Sequence, residues 1–544
     1  MQFDSTSYEV LKRIVIFPDK MRALLANMGF VLQISGIFLV LPIILSFINN
    51  ELVATVGLFI TATIFLIIGF LFNSFCERRT LSYKSSCSLI VLVFILLALI
   101  GSIPYMYVNF SNGDTIQNIT DSIFEATSGF TTTGFSVIPN VSALPESILF
   151  YRALTQFIGG IGIVLVLLAF FYPEAKLQDF AKGMGFSKDQ KIKKTIFLII
   201  ITYVVYTALM VVLSVLLGYR DIVKATSFIF SAISTGGFAP INNITSVATT
   251  FPMNVILVVT MVLGATNFFI IAGLFKMRLK AFFTSESSIF LINAMIAISI
   301  TVIFFKLSAE GAVFHIISAM TNSGFSYLPI VEFTDGLKFF IVFLMLVGGA
   351  SFSTAGGIKL YRFVLMIKSV QKAVYESITG REYHIRLFGR KYTNATIIQA
   401  AVIVLLFVAL VFFSAFIVSS YGYQPVDALF ETTSAAATTG LSTGIISPSL
   451  AVELKWLFIA LMLLGRVEIL PVLIMFSRTK ETPDEKMTEV TEEATEPSQM
   501  KKKFKCPKCG TIVTYVGEPK QSLTITCPSC GTTGKVALKE TDKK

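Results

Sequence analysis

The chain has 544 residues, of which 54% are hydrophobic and only 14% charged, and its mean hydropathy is +0.77. A soluble protein of this length needs far more charged surface, so the composition excludes one and indicates a lipid environment. The net charge of +11 does not indicate a nucleic-acid partner, because the basic residues lie in short loops between apolar runs. We therefore expect an all-α, multi-pass protein of the lipid bilayer without a nucleic-acid partner.

Ten stretches are apolar and long enough to cross a bilayer as helices, which takes about 20 residues each. They lie near 28–48, 52–73, 86–107, 147–172, 195–218, 251–276, 288–306, 337–368, 395–419 and 451–476. Lysine and arginine are concentrated in 173–194 and after Lys359, whereas 109–146 has neither. The basic connections are predicted to face the cytoplasm, which places both termini on the cytoplasmic side of the cell membrane.

Four outward connections contain a short apolar stretch followed by a cluster of Thr, Ser and Gly. They are FEATSGFTTTGFS (124–136), FIFSAISTGGFAP (228–240), FHIISAMTNSGFS (314–326) and FETTSAAATTGLS (430–442). The segments align without gaps on Gly134, Gly237, Gly324 and Gly440, and a serine lies six residues before each glycine. Each unit is then a span, a half-helix, a glycine turn and a second span. One such turn fits a common outward loop as well as a filter, but four in register predict a pore.

Irregular backbone at membrane depth is tolerated only where it lines a cavity or is buried in protein. Glycine can adopt dihedrals that turn carbonyl oxygens toward an ion, and these oxygens can replace part of its hydration shell. We therefore predict a cation pore with quasi-fourfold symmetry. Its candidate filter residues are Thr131, Thr132, Thr133, Gly134, Ser234, Thr235, Gly236, Gly237, Thr321, Asn322, Ser323, Gly324, Ala437, Thr438, Thr439 and Gly440.

These motifs resemble the Trk/Ktr/HKT superfamily over roughly residues 80–476. Further matching passages are YRALTQFIGGIGIVL (151–165), GATNFF (264–269), GGASFSTAGGIKLYR (348–362) and LLGRVEILP (463–471). The resemblance implies four M1–P–M2 repeats around one pore, preceded by two spans as in the TrkH-type branch. It also implies potassium uptake, a homodimer with a pore in each protomer, and a separate cytoplasmic RCK-type nucleotide-binding subunit. Glycine at all four central positions is the pattern of potassium-preferring members, while sodium permeation and coupling to sodium or protons stay open.

The stretch 348–357 lies in an apolar run too long for one straight span, and its small residues disfavour a continuous helix. Two interpretations stay open, close helix packing or a broken helix whose loop crosses beneath the filter as a gate, as the resemblance implies. Arg466 lies near the middle of the last span, where an unpaired charge costs about 2.5–3.5 kcal/mol. It is predicted either to pair with Glu468 or Glu125 or to act as an electrostatic barrier beside the ion path. The candidate gate residues are Gly348, Gly349, Ser351, Ser353, Thr354, Gly356, Gly357 and Arg466.

Three ionisable residues occupy one aligned position, nine residues before a central glycine. Glu125 and Glu431 are predicted to bond to the filter backbone or to supply negative potential to the outer cavity. His315 is predicted to be a packing histidine rather than a proton relay, and His384, in a basic loop, to be solvated.

The six cysteines fall into two groups. Cys76 and Cys87 are isolated near helix ends and are predicted to be structural, whereas CPKCG (506–510) and CPSCG (527–531) are two CxxC pairs separated by 17 residues. This spacing predicts zinc bound by Cys506, Cys509, Cys527 and Cys530, since disulfides are disfavoured at the cytoplasmic end of a span. TIVTYV (511–516) and SLTITC (522–527) are predicted to pair as the hairpin of a small zinc ribbon, with a role in partner docking or stability.

The predicted domains follow from these features. They are an N-terminal pair of spans (1–79), four pore repeats (80–180, 181–280, 281–375 and 376–478), a disordered linker (479–500) and the ribbon (501–544). An enzyme is not expected, because the chain has two histidines and no nucleophile motif, HExxH or P-loop. A membrane-anchored zinc sensor is less favoured, because ten spans with four filter-like loops exceed the needs of an anchor.

Overall fold

The computed structural model describes residues 19–76, 81–111, 113–171, 192–268, 270–271, 286–387, 390–477, 500–505, 512–517, 522–526 and 533–537. The chain divides into two units, Met1–Ser477 and Arg478–Lys544. The predicted linker 479–500 lies outside the described residues except for its last residue.

The first unit is helical, and it opens with apolar helices that precede the first glycine turn. They are α1 (Asp19–Phe38), α2 (Val40–Ile48), α3 (Leu52–Phe75), α4 (Tyr83–Gly101), α5 (Ile103–Val108) and the short α6 (Thr115–Phe130). Helices α1 and α3 pack closely at two glycines, because a Cβ on Gly69 would lie 2.7 Å from Gly29 O. Small residues of this kind let the backbones of apolar helices approach each other.

A long helix, a short helix, a glycine turn and a further helix then recur along the chain. After the first turn come α7 (Glu146–Phe171), α8 (Ile192–Leu216), the short α9 (Ile222–Ile233), α10 (Thr245–Ala248) and α11 (Phe251–Ala265). Next are α12 (Glu286–Phe305), the short α13 (Ala309–Met320), α14 (Asp335–Val347) and α15 (Leu360–Thr379). The last are α16 (Asn394–Ser420), the short α17 (Pro425–Ala436), α18 (Val452–Val467) and α19 (Ile469–Phe476). A small hairpin, β1 (Arg386–Leu387) with β2 (Arg390–Lys391), separates α15 from α16.

Among the described residues, six helical stretches are long and apolar enough to cross a membrane, and the bent pair α18–α19 makes a seventh. They are Met21–Ile48, Leu52–Phe75, Lys84–Val108, Ile199–Leu216, Glu286–Phe305 and Asn394–Ser420. The other three predicted spans correspond to α7 and to two runs in which the helix ends early, at Ala265 and at Val347. The chain is therefore a multi-pass membrane protein.

Besides the run that is interrupted at Ala265, the runs 337–368 and 451–476 are broken rather than straight. Helix α14 ends at Val347 and α15 begins at Leu360, which confirms the predicted break in the helix. The last span bends by 96° at Glu468, and the sequence analysis missed this bend. Pro471 lies three residues further on and has no N–H to continue the helical ladder, which favours a helix start close before it.

The short helices α6, α9, α13 and α17 form the centre of the unit. The first three begin at side-chain caps, with Asp114, Asp221 and Ser308 accepting from the backbone N–H three residues later. Four phenylalanines on these helices are fully buried in the surrounding apolar core, and they are Phe124, Phe228, Phe314 and Phe430. This packing fixes the short helices and the turns that follow them.

The second unit contains two antiparallel hairpins. Strand β3 (Met500–Lys505) pairs with β4 (Ile512–Gly517), and β5 (Ser522–Thr526) pairs with β6 (Thr533–Ala537). The predicted pairing of 511–516 with 522–527 is therefore wrong, although both stretches do form strands. Their partners are a lysine-rich stretch and a short stretch near the C-terminus, and the β propensity of lysine is low.

Candidate ion pathway

Each of the four short helices ends in the same hydrogen-bond pattern. At the end of α6, Thr132 N donates to Gly129 O and Thr133 N to Ser128 O, both at 2.9 Å. The second bond recurs at 2.8 Å from Gly236 N, Ser323 N and Thr439 N, each to the carbonyl five residues earlier. This is a Schellman ending, which requires one residue in the left-handed region.

That left-handed residue is not a glycine in any of the four turns. Thr132, Thr235, Asn322 and Thr438 have φ between 49° and 55° and are at most 1% exposed. Asparagine tolerates this region, but a β-branched threonine rarely adopts such a φ, and a backbone outlier of this kind costs on the order of 1–3 kcal/mol. Strain at the equivalent threonine of three turns marks the four turns as a candidate functional site.

The aligned glycines lie two residues further on and close the turns into a ring. They have φ between 75° and 92°, and each packs against the carbonyl oxygen of the residue before the next glycine. A Cβ on the glycine would approach that oxygen to 2.1 Å (Gly134 to Gly236), 2.5 Å (Gly237 to Ser323), 1.9 Å (Gly324 to Thr439) and 1.9 Å (Gly440 to Thr133). The fourth turn thus contacts the first, and the glycines themselves are partly exposed while the residues before them are buried.

Two buried glutamates hold the chain that follows the glycines. Glu125 Oε1 accepts from Ser136 Oγ at 2.6 Å and from Val137 N at 2.7 Å. Glu431 Oε1 accepts in the same way from Ser442 Oγ at 2.5 Å and Thr443 N at 2.9 Å. Of the two interpretations of these carboxylates, the geometry supports bonding to the backbone beside the ring.

His315 takes the equivalent place in the third turn. Its Nε2 accepts from Leu328 N at 3.2 Å, its Nδ1 lies 2.8 Å from Gly311 O, and it is only 1% exposed. Its ring packs against Tyr327 and Phe333, so the prediction of a packing histidine is confirmed. His384 is exposed, as predicted.

Helix α7 contributes two buried polar residues that the sequence analysis did not single out. Arg152 donates to Ala239 O at 3.1 Å and lies 3.4 Å from Glu125. Gln156, one helical turn later, donates to Gly236 O at 2.6 Å and accepts from Phe238 N at 3.2 Å. Polar residues inside a membrane span are candidates for functional sites by default, and that signal was available in the sequence.

Two ion pairs, one buried and one partly buried, each join a short helix to the helix that follows the preceding turn of the ring. Lys455 Nζ lies 2.5 Å from Asp121 Oδ1, and Lys338 Nζ lies 2.8 Å from Asp427 Oδ1. Asp121 and Asp427 both lie 13 residues before a central glycine, so the repeat alignment contained this signal as well. These pairs connect the third turn to the fourth and the fourth to the first.

The gate candidates form an irregular segment, 348–357, that lies against three of the four turns. Thr235 Oγ1 donates to Thr354 Oγ1 at 3.3 Å. A Cβ on Gly348 would lie 3.0 Å from Asn322 Oδ1, and one on Gly356 would lie 2.0 Å from Ala437 O. The segment therefore packs at the carbonyl ends of the short helices, next to the ring.

Contacts with α11 and α12 hold the segment in place. Ala350 N donates to Ala265 O at 3.0 Å, and Thr354 N donates to Gly264 O at 3.1 Å. Glu286, which the sequence analysis missed, accepts from Ser351 N at 2.9 Å and from Ser351 Oγ at 3.1 Å. The break in α11 at Ala265 leaves the carbonyl groups of residues 264 and 265 free to bind the segment.

Arg466 binds backbone carbonyls and neither of the two predicted acidic partners. Its Nη1 donates to Thr354 O at 2.6 Å, and its Nη2 donates to Gly159 O at 2.9 Å. Glu468 pairs instead with Arg362 at 2.8 Å, and Glu125 pairs with Arg152. The predicted ion pair of Arg466 is therefore wrong, because both carboxylates have nearer cations. The side chain of Arg466 joins α18 to segment 348–357 and to α7.

The cysteines of the predicted zinc site lie outside the described residues. Cys506 and Cys509 fall in the connection between β3 and β4, and Cys527 and Cys530 fall in the connection between β5 and β6. Within the part of the chain that the structure describes, no group of three or more His, Cys, Asp or Glu side chains could hold a metal ion. Cys76 and Cys87 are buried free thiols, as expected for structural residues.

The helical membrane unit and its closed ring of glycine turns define a polytopic membrane protein built around a central backbone site. Residues 58–307 and 284–489 match the model of the TrkH family, whose members are cation transport proteins, and the chain belongs to this family.

Several relatives match across most of their length. An uncharacterized cation transporter of Methanocaldococcus jannaschii is 31% identical over 457 residues, which cover 83% of this chain and 94% of the relative. The Trk system potassium uptake protein TrkH of Escherichia coli K12 is 25% identical over 428 residues, covering 74% and 87%. The protein of the same name from Halomonas elongata is 28% identical over 436 residues, covering 74% and 86%.

A solved structure has the same fold. The crystal structure of the potassium transporter TrkH from Vibrio parahaemolyticus superposes with a TM-score of 0.73 at 22% identity, covering 84% of this chain and 99% of that one. The described helices and their order therefore belong to a known membrane architecture.

Proposed function

We propose that this protein carries potassium ions across the cell membrane through a pore formed by the four glycine turns. The observation that carries the proposal is the closed ring, in which each glycine packs against the carbonyl of the residue before the next glycine. We infer that backbone oxygens of the four turns face the centre of this ring, where they can replace the hydration shell of a cation. Relatives that align over most of their length are named potassium uptake proteins.

The filter residues proposed here are the sixteen candidates at the four turns, with the glycines at the centre of each. The short helices end at these turns, so the negative ends of their macrodipoles point toward the ring. That orientation favours a cation there without a buried carboxylate in the pathway. Glu125 and Glu431 then act as supports of the backbone, and the quasi-fourfold arrangement follows from four equivalent turns.

Transport by purified protein in proteoliposomes tests the proposal. We expect rubidium uptake that excess external potassium suppresses and equal sodium suppresses much less. Gly134→Ser is expected to lower the potassium-over-sodium preference, because its Cβ would approach Gly236 O to 2.1 Å. Gly162→Ser is the matched control, because a Cβ on Gly162 has no heavy atom within 4 Å. Equal competition by sodium would favour the sodium-permeable alternative, and uptake that requires a sodium or proton gradient would favour the coupled one.

The segment 348–357 and Arg466 are proposed as the gate of this pore. The segment packs against three turns at the carbonyl ends of the short helices, and Arg466 Nη1 donates to Thr354 O. A segment in that position can occlude an ion path, and the guanidinium adds positive charge beside it. Deletion of several residues of the segment should raise basal flux and leave ion preference unchanged. A deletion variant that folds normally and keeps parental flux would contradict the gate.

A zinc ion is proposed for the second unit, held by Cys506, Cys509, Cys527 and Cys530. Four thiols in two CxxC pairs fit tetrahedral zinc, and each pair lies in the short connection of a hairpin. Zinc would cross-link the two hairpins and stabilise a unit too small for a large core. Metal analysis of the full-length protein should give one zinc per chain, and the Cys506→Ser, Cys509→Ser double variant should give none. Zinc retained by that variant would place the metal elsewhere.

A homodimer and a separate cytoplasmic RCK-type nucleotide-binding subunit are proposed on family membership alone. The mass of the detergent-solubilised protein, corrected for bound detergent, tests the dimer. Basal flux measured with and without the candidate subunit tests the regulation.

A further inference from the structure

We propose that Gln156 is a positioning residue for ion selectivity, whose carboxamide replaces the side chain that the second turn lacks at Gly236. The inference rests on the proposed pore function and concerns one junction of the ring, between the first and second turns. It starts from a difference between otherwise equivalent turns.

The residue before the central glycine carries a hydroxyl in three turns and no side chain in the second. Thr133 Oγ1 lies 2.8 Å from Thr131 Oγ1, and Ser323 Oγ lies 2.8 Å from Thr321 Oγ1. Thr439 Oγ1 accepts from Asn322 Nδ2 at 2.8 Å. The hydroxyls thus bond within their own turn or across to the neighbouring one. The second turn has Gly236 at this position and has no such group.

Gln156 occupies the space where that missing side chain would lie. A Cβ built on Gly236 would be 2.3 Å from Gln156 Cδ, 2.4 Å from its Oε1 and 2.8 Å from its Nε2. No side chain fits at position 236 while the carboxamide of Gln156 keeps this place. Glycine at 236 and glutamine at 156 are therefore complementary, and a side chain at 236 would displace the carboxamide.

The carboxamide also supplies the hydrogen bonds that hold the second turn. Gln156 Nε2 donates to Gly236 O at 2.6 Å, and Oε1 accepts from Ser231 Oγ at 2.6 Å and from Phe238 N at 3.2 Å. Gln156 itself is fully buried. Three bonds from one buried amide fix both the residue before the central glycine and the residue after it.

The other three turns receive corresponding support from their own short helices. Glu125, His315 and Glu431 lie nine residues before the central glycine and accept from the backbone beyond it. The second turn has Phe228 at this position, and a phenylalanine cannot accept. Gln156, from the helix that follows the first turn, therefore takes over this support as well.

Gln156 influences ion selectivity through the carbonyl oxygen of Gly236. This oxygen is the one against which Gly134 packs, so it lies at the contact between the first and second turns. A hydrogen bond from Nε2 restricts where the oxygen can point. Without that bond the junction can widen, and the ring then discriminates less between potassium and the smaller sodium ion.

Rubidium uptake with sodium competition, in parental protein and three variants, tests the inference. Gln156→Ala should fold and conduct but lose up to about fivefold in potassium preference, which is the change that the net free energy of one typical hydrogen bond can supply. Gly236→Ser alone should lower flux and preference, because its side chain meets the carboxamide. The double variant should recover much of the preference, because it gives the second turn the hydroxyl that the other turns have. A merely structural role of Gln156 predicts no such rescue.

A fourth variant, Gln156→Met, keeps the test decisive if Gln156→Ala does not fold. Methionine keeps most of the side-chain volume and avoids the cavity that alanine leaves, but it cannot donate to Gly236 O, so we expect reduced preference at a higher yield than that of Gln156→Ala. Parental preference in folded Gln156→Ala or Gln156→Met would overturn the inference, as would a double variant no better than the poorer single one. Parental protein without potassium-preferring flux would overturn the proposed function, and the inference with it.

Discussion

The glycine turns and segment 348–357 are neighbours, but their conformations are held in different ways. Each turn has bonds from its own short helix, such as Thr133 N to Ser128 O, five residues apart, and the second turn is also held by Gln156. The segment is held mainly by groups far away in the chain. Ser351 bonds to Glu286, 65 residues away, and Thr354 O accepts from Arg466, 112 residues away. For the proposed pore and gate, we therefore expect substitutions that detach the segment to change flux and to leave ion preference intact.

The first prediction concerns the ring of glycines itself, where we expect a substitution to have the largest effect. Gly440→Ala places a Cβ 1.9 Å from Thr133 O, at a residue with φ of 88°. Neither backbone can yield without opening the ring, so potassium-preferring flux should be lost. Gly237→Ala, whose Cβ would lie 2.5 Å from Ser323 O, should be milder.

Rubidium uptake into proteoliposomes measures both variants, with Gly162→Ala as the control that has free space around its new Cβ. Size-exclusion profiles establish that each protein is folded. Parental uptake and preference in Gly440→Ala would show that the glycines do not form the selective part of the pathway.

The second prediction concerns the long-range bonds of Arg466. Arg466→Gln removes the two bonds that the guanidinium donates to buried carbonyls. Hydrogen bonds to charged groups contribute about 1.5–3 kcal/mol each. Losing them weakens the attachment of segment 348–357, so basal flux should rise roughly tenfold or more. The substitution leaves neither carboxylate without its ion-pair partner, because Glu468 still pairs with Arg362 and Glu125 with Arg152. Ion preference should not change.

Arg466→Lys separates the two roles of this side chain. Lysine keeps the charge but cannot reach both Thr354 O and Gly159 O in the same fixed geometry. If Arg466→Lys and Arg466→Gln raise the flux equally, the two hydrogen bonds to backbone carbonyls keep the flux low. If only Arg466→Gln raises the flux, the positive charge keeps it low. Parental flux in both folded variants would remove Arg466 from the gate.

The third prediction concerns Glu286, which binds the backbone and side chain of Ser351. Glu286→Gln keeps one acceptor oxygen, so part of the contact survives. Basal flux should rise by about threefold, because the free energy lost is smaller than that of one hydrogen bond to a charged group. Basal fluxes of the purified protein measure the effect, and Glu310→Gln, at the exposed start of α13, is the control. A rise in both variants would point to surface charge rather than to the segment.

The same distinction explains how much of the molecule could be predicted from the sequence. The glycine turns are local features, so their alignment and the break in the third repeat could be predicted. The partners of Arg466 could not, because the choice between Glu468 and two carbonyls depends on how distant helices pack. Gln156 could have been singled out as a polar residue inside a span, but its role is visible only beside Gly236. Pro471 was a local sign of the bend at Glu468, whereas the pairing of the lysine-rich strand β3 depends on surroundings that override local propensity.

The smallest effect should come from two adjacent hydroxyls in segment 348–357, one with long-range bonds and one with a local bond. Thr354 Oγ1 donates to Ile233 O at 3.0 Å or to Gly264 O at 2.9 Å, whereas Ser353 Oγ donates to Ala350 O, within the segment, at 2.6 Å. Thr354→Val keeps the shape but removes the side-chain bonds to α9 and α11, while the backbone bond from Thr354 N to Gly264 O remains. Basal flux should therefore rise by only about twofold, the low end of what one neutral hydrogen bond contributes. Ser353→Ala removes a bond of similar geometry that does not attach the segment to the rest of the protein, so flux should stay at the parental level. Equal changes in the two variants would mean that the internal structure of the segment, and not its attachment, keeps the pore closed.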